Sequence, residues 1–110
     1  MTEQIGGTHY SKYKYQTWDF IHQIGLDYFL GNALKYITRY PDKNGIEDIK
    51  KAVSYIDKYL DLNKDITLKP IPTNLITRFV SQFNETQAKL IRLLVRKQFK
   101  ELKESLNELL

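Results

Sequence analysis

Asn32, Lys35, Tyr36 and Arg39 stand at i, i+3, i+4 and i+7 in GNALKYITRY, the stretch from residue 31 to 40. On a helix that spacing draws one stripe. An amide, an ammonium, a phenol and a guanidinium on one stripe suit an anion with a planar body. Lys and Arg donors match phosphate oxygens, Arg in a bidentate way. A tyrosine adds a ring face for a base and a hydroxyl for polar contacts. A charged helix face is ordinarily no more than a solvated one. Three features argue for more here. Asn32 has weak helix propensity and gains nothing on a plain solvent face. No acid lies within the stripe to neutralise it. The next helical stretch also offers a matching face, with Asp48, Lys51, Tyr55 and Lys58 at i, i+3, i+7 and i+10. Two antiparallel helices joined by a short turn set these stripes side by side. Lys35, Arg39, Lys43 and Lys51 then surround an anion, with Asp48 orienting one of them. Gly31 allows close backbone approach at the head of the stripe.

The N-terminal GGTHYSKYKY contributes a second kind of candidate. His9 can donate to a phosphate or move a proton near neutral pH, although a surface histidine in a tail is the simpler alternative. His22 falls within an amphipathic stretch and reads as structural. His9 and Asp48 are the candidate proton acceptors.

The elements that position these residues read as all α. Trp18, Ile21 and Ile24 repeat at helical spacing over 16–24, with Gln16 or Thr17 at the start and Gly25 at C′. Asp27 caps a helix over 27–40, whose apolar side is Leu30, Ala33, Leu34 and Ile37, and Pro41 ends it. DKNG is a turn. A helix over 45–63 carries Ile46, Ile49, Val53, Ile56 and Leu60. TLKPIPT is a linker. Thr73 or Asn74 caps a helix reaching about Phe83, and NETQ forms a capping box that opens a last helix over 85–108. The expectation is a small bundle of about five helices.

The 110 residues suit one domain with one modest core. It would have an N-terminal region to residue 65 and a basic helical pair over 66–110, packed on the first or mediating assembly. The whole +4 net charge falls in the second part, while all eight tyrosines and the tryptophan precede residue 60. With no cysteine, disulfides, zinc-thiolate sites and thiol nucleophiles are excluded. No apolar h-region opens the chain and no run nears the roughly 20 residues of a membrane span. The reading is a cytoplasmic protein without a membrane partner.

THY at 8–10, followed by FLGNALKYITRYPDKNGIEDIKKAVSYIDKYL at 29–60, resembles the SaV-like family of small phage and prophage proteins. That pattern falls on His9, Tyr10, Gly31, Asn32, Lys35, Tyr36, Arg39, Lys43, Asp48, Lys51, Ala52 and Tyr55, over about residues 5–62. Most of the family is of unknown function. One branch is described as a nucleotide kinase acting on deoxynucleoside monophosphates. The resemblance implies a phage protein in the host bacterial cytoplasm with a nucleotide or other phosphate ligand, bound by Tyr10, Asn32, Lys35, Tyr36, Arg39, Lys43, Lys51 and Tyr55. No phosphate-loop motif and no obvious carboxylate cluster for magnesium is present. No metal or separate cofactor is expected. A site shared between subunits would suit so short a chain, so a homo-oligomer is expected. Two alternatives stand beside the kinase. One is a nucleotide-sequestering or anti-defence protein without catalysis. The other is an interaction protein that meets nucleic acid or a host protein through Lys89, Arg92, Arg96, Lys100 and Lys103 on the last helix.

Overall fold

The computed structural model describes residues 14–110. Among them are six helices and no strand: α1 Thr17–Ile24, α2 Tyr28–Arg39, α3 Ile46–Leu62, α4 Thr73–Val80, α5 Glu85–Val95 and α6 Phe99–Asn107. No helix among the described residues is long and apolar enough to cross a membrane.

Local chemistry sets the first three. Gly25 closes α1 in the left-handed region at φ 72°, its N–H turned back to the His22 and Ile21 carbonyls, a conformation that costs glycine nothing. The Asp27 side chain accepts from the Leu30 N–H at 2.8 Å and so satisfies a donor at the open end of α2. Tyr40 ends α2 just before Pro41. The turn through Gly45 then reverses the chain, and α2 and α3 form the most extensive helix pair of the fold.

Between them Leu30, Ala33, Leu34 and Ile37 of α2 and Ile49, Ala52 and Ile56 of α3 are buried, as their spacing predicts. α5 packs on α2 and α6 on α3. The face of α1 differs from expectation. Phe20 is its buried apolar residue, stacked on Phe79 of α4 at 4.1 Å, with the Tyr15 ring edge-on to both. Trp18, which shares the apolar spacing, is 56% exposed. His22, read as structural, is exposed as well.

Two buried or half-buried glutamines tie distant segments together. Gln82 exchanges two hydrogen bonds of 2.8 Å with the backbone of Tyr15. Gln87 completes the expected capping box with Asn84 and also donates to the Ile37 and Thr38 carbonyls at the end of α2, at 3.0 and 3.1 Å. α4 is shorter than its pattern suggests. Pro72, not Thr73 or Asn74, holds the N-cap position, no side chain caps it, and it stops at Val80.

The long helix expected over 85–108 is two helices. After Arg96 the Lys97 N–H returns to the Leu94 carbonyl and the Gln98 N–H to the Leu93 carbonyl, with Lys97 at φ 56°. This is a Schellman ending with lysine where glycine is usual. The chain then turns so that Phe99, Leu102 and Leu106 are buried, with Phe99 5.4 Å from the ring of Tyr59 on α3. The basic stripe from Lys89 to Lys103 is therefore not one continuous helical face. Lys103 is taken up in an ion pair with Asp57 of α3.

Candidate functional site

The α2–α3 hairpin brings most of the stripe residues together around Tyr36. The Lys35 ammonium lies 4.7 Å from the ring centroid, the Lys51 ammonium 5.4 Å and the Arg39 guanidinium carbon 5.5 Å. Each such contact is worth about 0.5–1 kcal/mol at an exposed site. Tyr55 stacks on Tyr36 at 5.9 Å, and Tyr28 meets Tyr55 edge-on at 6.1 Å. A side-chain hydrogen bond with Tyr28, and then burial, hold the Tyr55 hydroxyl above its usual pKa.

The three cations are not equivalent. Arg39 Nε lies 3.4 Å from Asp48 Oδ2, and the Asp48 side chain is fully buried. Asp48 also accepts from the Asn44 N–H at 3.2 Å in the turn. It is therefore not part of an exposed stripe with Lys51, Tyr55 and Lys58. It sits beneath Arg39 and orients it, one of the roles its position suggested. Its Oδ1 and the Arg39 Nε are buried with no hydrogen-bond partner among the described residues. Neither Lys35 nor Lys51 has an ion pair among those residues. Two ammonium groups without an ion pair among the described residues thus share one ring, and an anion arriving beside them relieves their repulsion.

Beside this cluster runs an apolar groove of about 370 Å3 between α1 and α2. Its lining includes Trp18, Ile21, Tyr28, Gly31, Asn32 and Lys35. Tyr28 is 67% exposed at its rim. Lys35 belongs to both groove and ring cluster, so a planar apolar body in the groove can keep its anionic end at Lys35 and Lys51. The volume falls in the range of small-molecule sites, roughly 300–1,000 Å3.

The two residues that open the stripe have structural partners. A side chain on Gly31 would place its Cβ 3.2 Å from Ile21 Cγ2, so the close approach that glycine permits is to α1. Asn32 donates to the Tyr28 carbonyl one turn back at 2.8 Å, which occupies its amide within α2. Lys43 is exposed in the turn and has no ring contact or ion pair among the described residues. His9 and Tyr10 lie outside the described residues. The aromatic wall made by Trp18 and Tyr28 was not anticipated. Periodicity places Trp18 on the apolar side of its helix and gives no role to Tyr28, the first residue of α2, so spacing alone does not join the two. Among the described residues no three carboxylates or histidines gather to hold a metal ion.

A model of a family described as a protein of unknown function, DUF3310, matches residues 6–57. That span holds α1, α2 and most of α3, and with them the groove and the ring cluster. No curated protein and no solved structure matches the chain significantly.

Proposed function

We propose that the protein binds a nucleotide, with the base in the groove walled by Trp18 and Tyr28 and the phosphate at Lys35 and Lys51. The observation that carries this reading is the shared position of Lys35, at once a groove wall and one of three cations about the Tyr36 ring. An apolar slot with a few convergent charged groups is the usual build of a small-molecule site. Aromatic faces favour a base, and the ammonium pair favours phosphate over a neutral nucleoside. Arg39 is held by Asp48 and supplies a fixed, partly neutralised charge at the back of the cluster.

Binding is the part of the expected function this geometry supports best. A kinase reaction on nucleoside monophosphates would use the same ammonium pair to position a phosphoryl group, and the sequestering alternative uses it without turnover. The test is calorimetry of the full chain against nucleoside mono-, di- and triphosphates and cyclic nucleotides, alongside the parent nucleosides, with product formation followed in the same mixtures. One nucleotide class should bind, its nucleoside should bind far more weakly, and Lys35→Ala should lose about 1.5–3 kcal/mol of affinity with the fold kept. Equal binding by Lys35→Ala, or no binding by any nucleotide, would overturn the proposal.

A further inference from the structure

A second cleft, of about 380 Å3, opens on another side of the α1–α2 turn, where the linker before α4 meets the α5–α6 turn. It is independent of the groove described above, although Leu26 and Asp27 line both. Leu30, Ile71, Ile76 and Val95 give it apolar walls. Lys69, Arg96 and Lys97 stand in its lining against a single acid, Asp27, whose Oδ1 already accepts from the Leu30 N–H. Lys69 and Arg96 are exposed and have no ion pair among the described residues.

Lys97 is the informative residue. It holds the left-handed position of the Schellman turn at φ 56°, where glycine would be free of strain. Its ammonium donates to the Thr67 carbonyl at 2.9 Å and lies 5.9 Å from the centroid of the Tyr59 ring. A strained backbone is thus tolerated at the point that sets a lysine on the cleft and pins the linker against it, and strain of this kind gathers at ligand clamps. The ammonium carries three donors, of which the Thr67 carbonyl takes one.

We infer that this cleft is a binding site for a small amphipathic anion, its apolar body among Leu30, Ile71 and Ile76 and its phosphate or carboxylate held by Lys69, Arg96 and Lys97. The site draws mainly on the part of the chain beyond residue 57, where the family match ends. It takes a flexible apolar tail as readily as a ring, because its apolar lining is aliphatic apart from Tyr59.

Octyl phosphate is a suitable probe, titrated into the full 15N-labelled chain and followed by backbone amide shifts. Saturable shifts are expected at Asn63, Lys69 and Lys97, with 1-octanol binding far more weakly. Lys69→Ala/Arg96→Ala should weaken binding about tenfold or more, while Lys35→Ala should leave it unchanged. Both replaced side chains are exposed, and an unchanged amide spectrum elsewhere shows that the fold is kept. Shifts confined to Trp18, Tyr28 and Asn32, undiminished binding by the double variant, or no saturable shift would overturn the inference. Each of these results is separable from the nucleotide test, which turns on Lys35.

Discussion

Gly31→Ala separates what the α1–α2 contact does for stability from what it does for the groove. Gly31 lies inside α2 with no positive φ, so alanine there gains helix propensity of about 1 kcal/mol. Against this, the new Cβ meets Ile21 Cγ2 at 3.2 Å and Ile21 Cδ1 at 3.7 Å. Carbon pairs settle at about 3.5–4.0 Å, so Ile21 must retreat by a few tenths of an ångström. In a closed core such overpacking costs about 1–3 kcal/mol. Ile21, however, is only half-buried and borders the open groove, so it has somewhere to go. The net change expected in urea unfolding is between zero and about 1 kcal/mol of added stability, with a Tm rise of up to about 6 °C.

The same variant should bind its ligand worse. A methyl added at Gly31 and a displaced Ile21 both narrow the groove, and one carbon of misfit in an apolar pocket costs about tenfold in affinity. Calorimetry with the nucleotide class found for the parent chain reads this directly. A variant that loses more than about 1 kcal/mol of stability would show that Ile21 cannot yield, against the packing argument. A variant with unaltered affinity would show that no ligand occupies the groove.

Three further outcomes follow from the buried polar groups and the turns. Asp48→Ala removes the one counter-charge that the partly buried Arg39 has among the described residues, and should cost about 3 kcal/mol in urea unfolding. Lys97→Gly and Lys97→Ala both lose the Thr67 contact, but only glycine sheds the left-handed strain, so it should be the more stable of the two by about 1 kcal/mol. Burial raises the Tyr15 and Tyr40 hydroxyls, and the Tyr28 hydrogen bond raises Tyr55. The folded state therefore holds these protons more tightly than the unfolded state, whose tyrosines ionise near about pH 10. The stabilisation is fully present below that pH and is lost as pH rises through the higher folded values. Alkaline unfolding monitored with tyrosinate absorbance should show this decline.

Residues whose partners lie within one helix turn were readable in advance. Gly25, the Asp27 cap, the Asn84–Gln87 capping box and the α2 apolar side all depend on neighbours three or four positions away. The cation cluster was readable for the same reason, extended across one short turn. What escaped depends on distant chain. The break at Lys97 carries no glycine or proline, and the apolar spacing runs on from Val95 through Phe99 to Leu102. The turn reflects where Phe99 finds Tyr59. Trp18 and Phe20 are both aromatic residues near one helix start, and Phe79 decides which of them is buried. Gln82 and Gln87 look like surface residues until Tyr15 and the end of α2 are placed beside them. Even Asn32, whose weak helix propensity points to a ligand in the sequence, owes its place to the Tyr28 carbonyl, and Arg39 of the same stripe finds its acid in Asp48, which leaves Lys35 as the stripe cation without an ion pair among the described residues.

The family match ends at residue 57, inside α3, yet the hairpin that carries the site leans on helices beyond it. The buried faces of α2 and α3 rest on α5 and α6, and α1 rests on α4. Phe79, Leu90, Ile91, Leu94, Leu102 and Leu106 are all fully buried in that support. At about 1.5–3 kcal/mol for each large apolar side chain, these six supply about 9–18 kcal/mol. A domain of this size has a net stability of only about 5–15 kcal/mol. A fragment of residues 1–62 should therefore lack a cooperative thermal transition by circular dichroism and show poorly dispersed methyl resonances. Loss of nucleotide binding by that fragment would then reflect an unfolded hairpin, not a missing contact. A sharp unfolding transition in the fragment would refute the reasoning, and would mean that the first three helices close a core of their own.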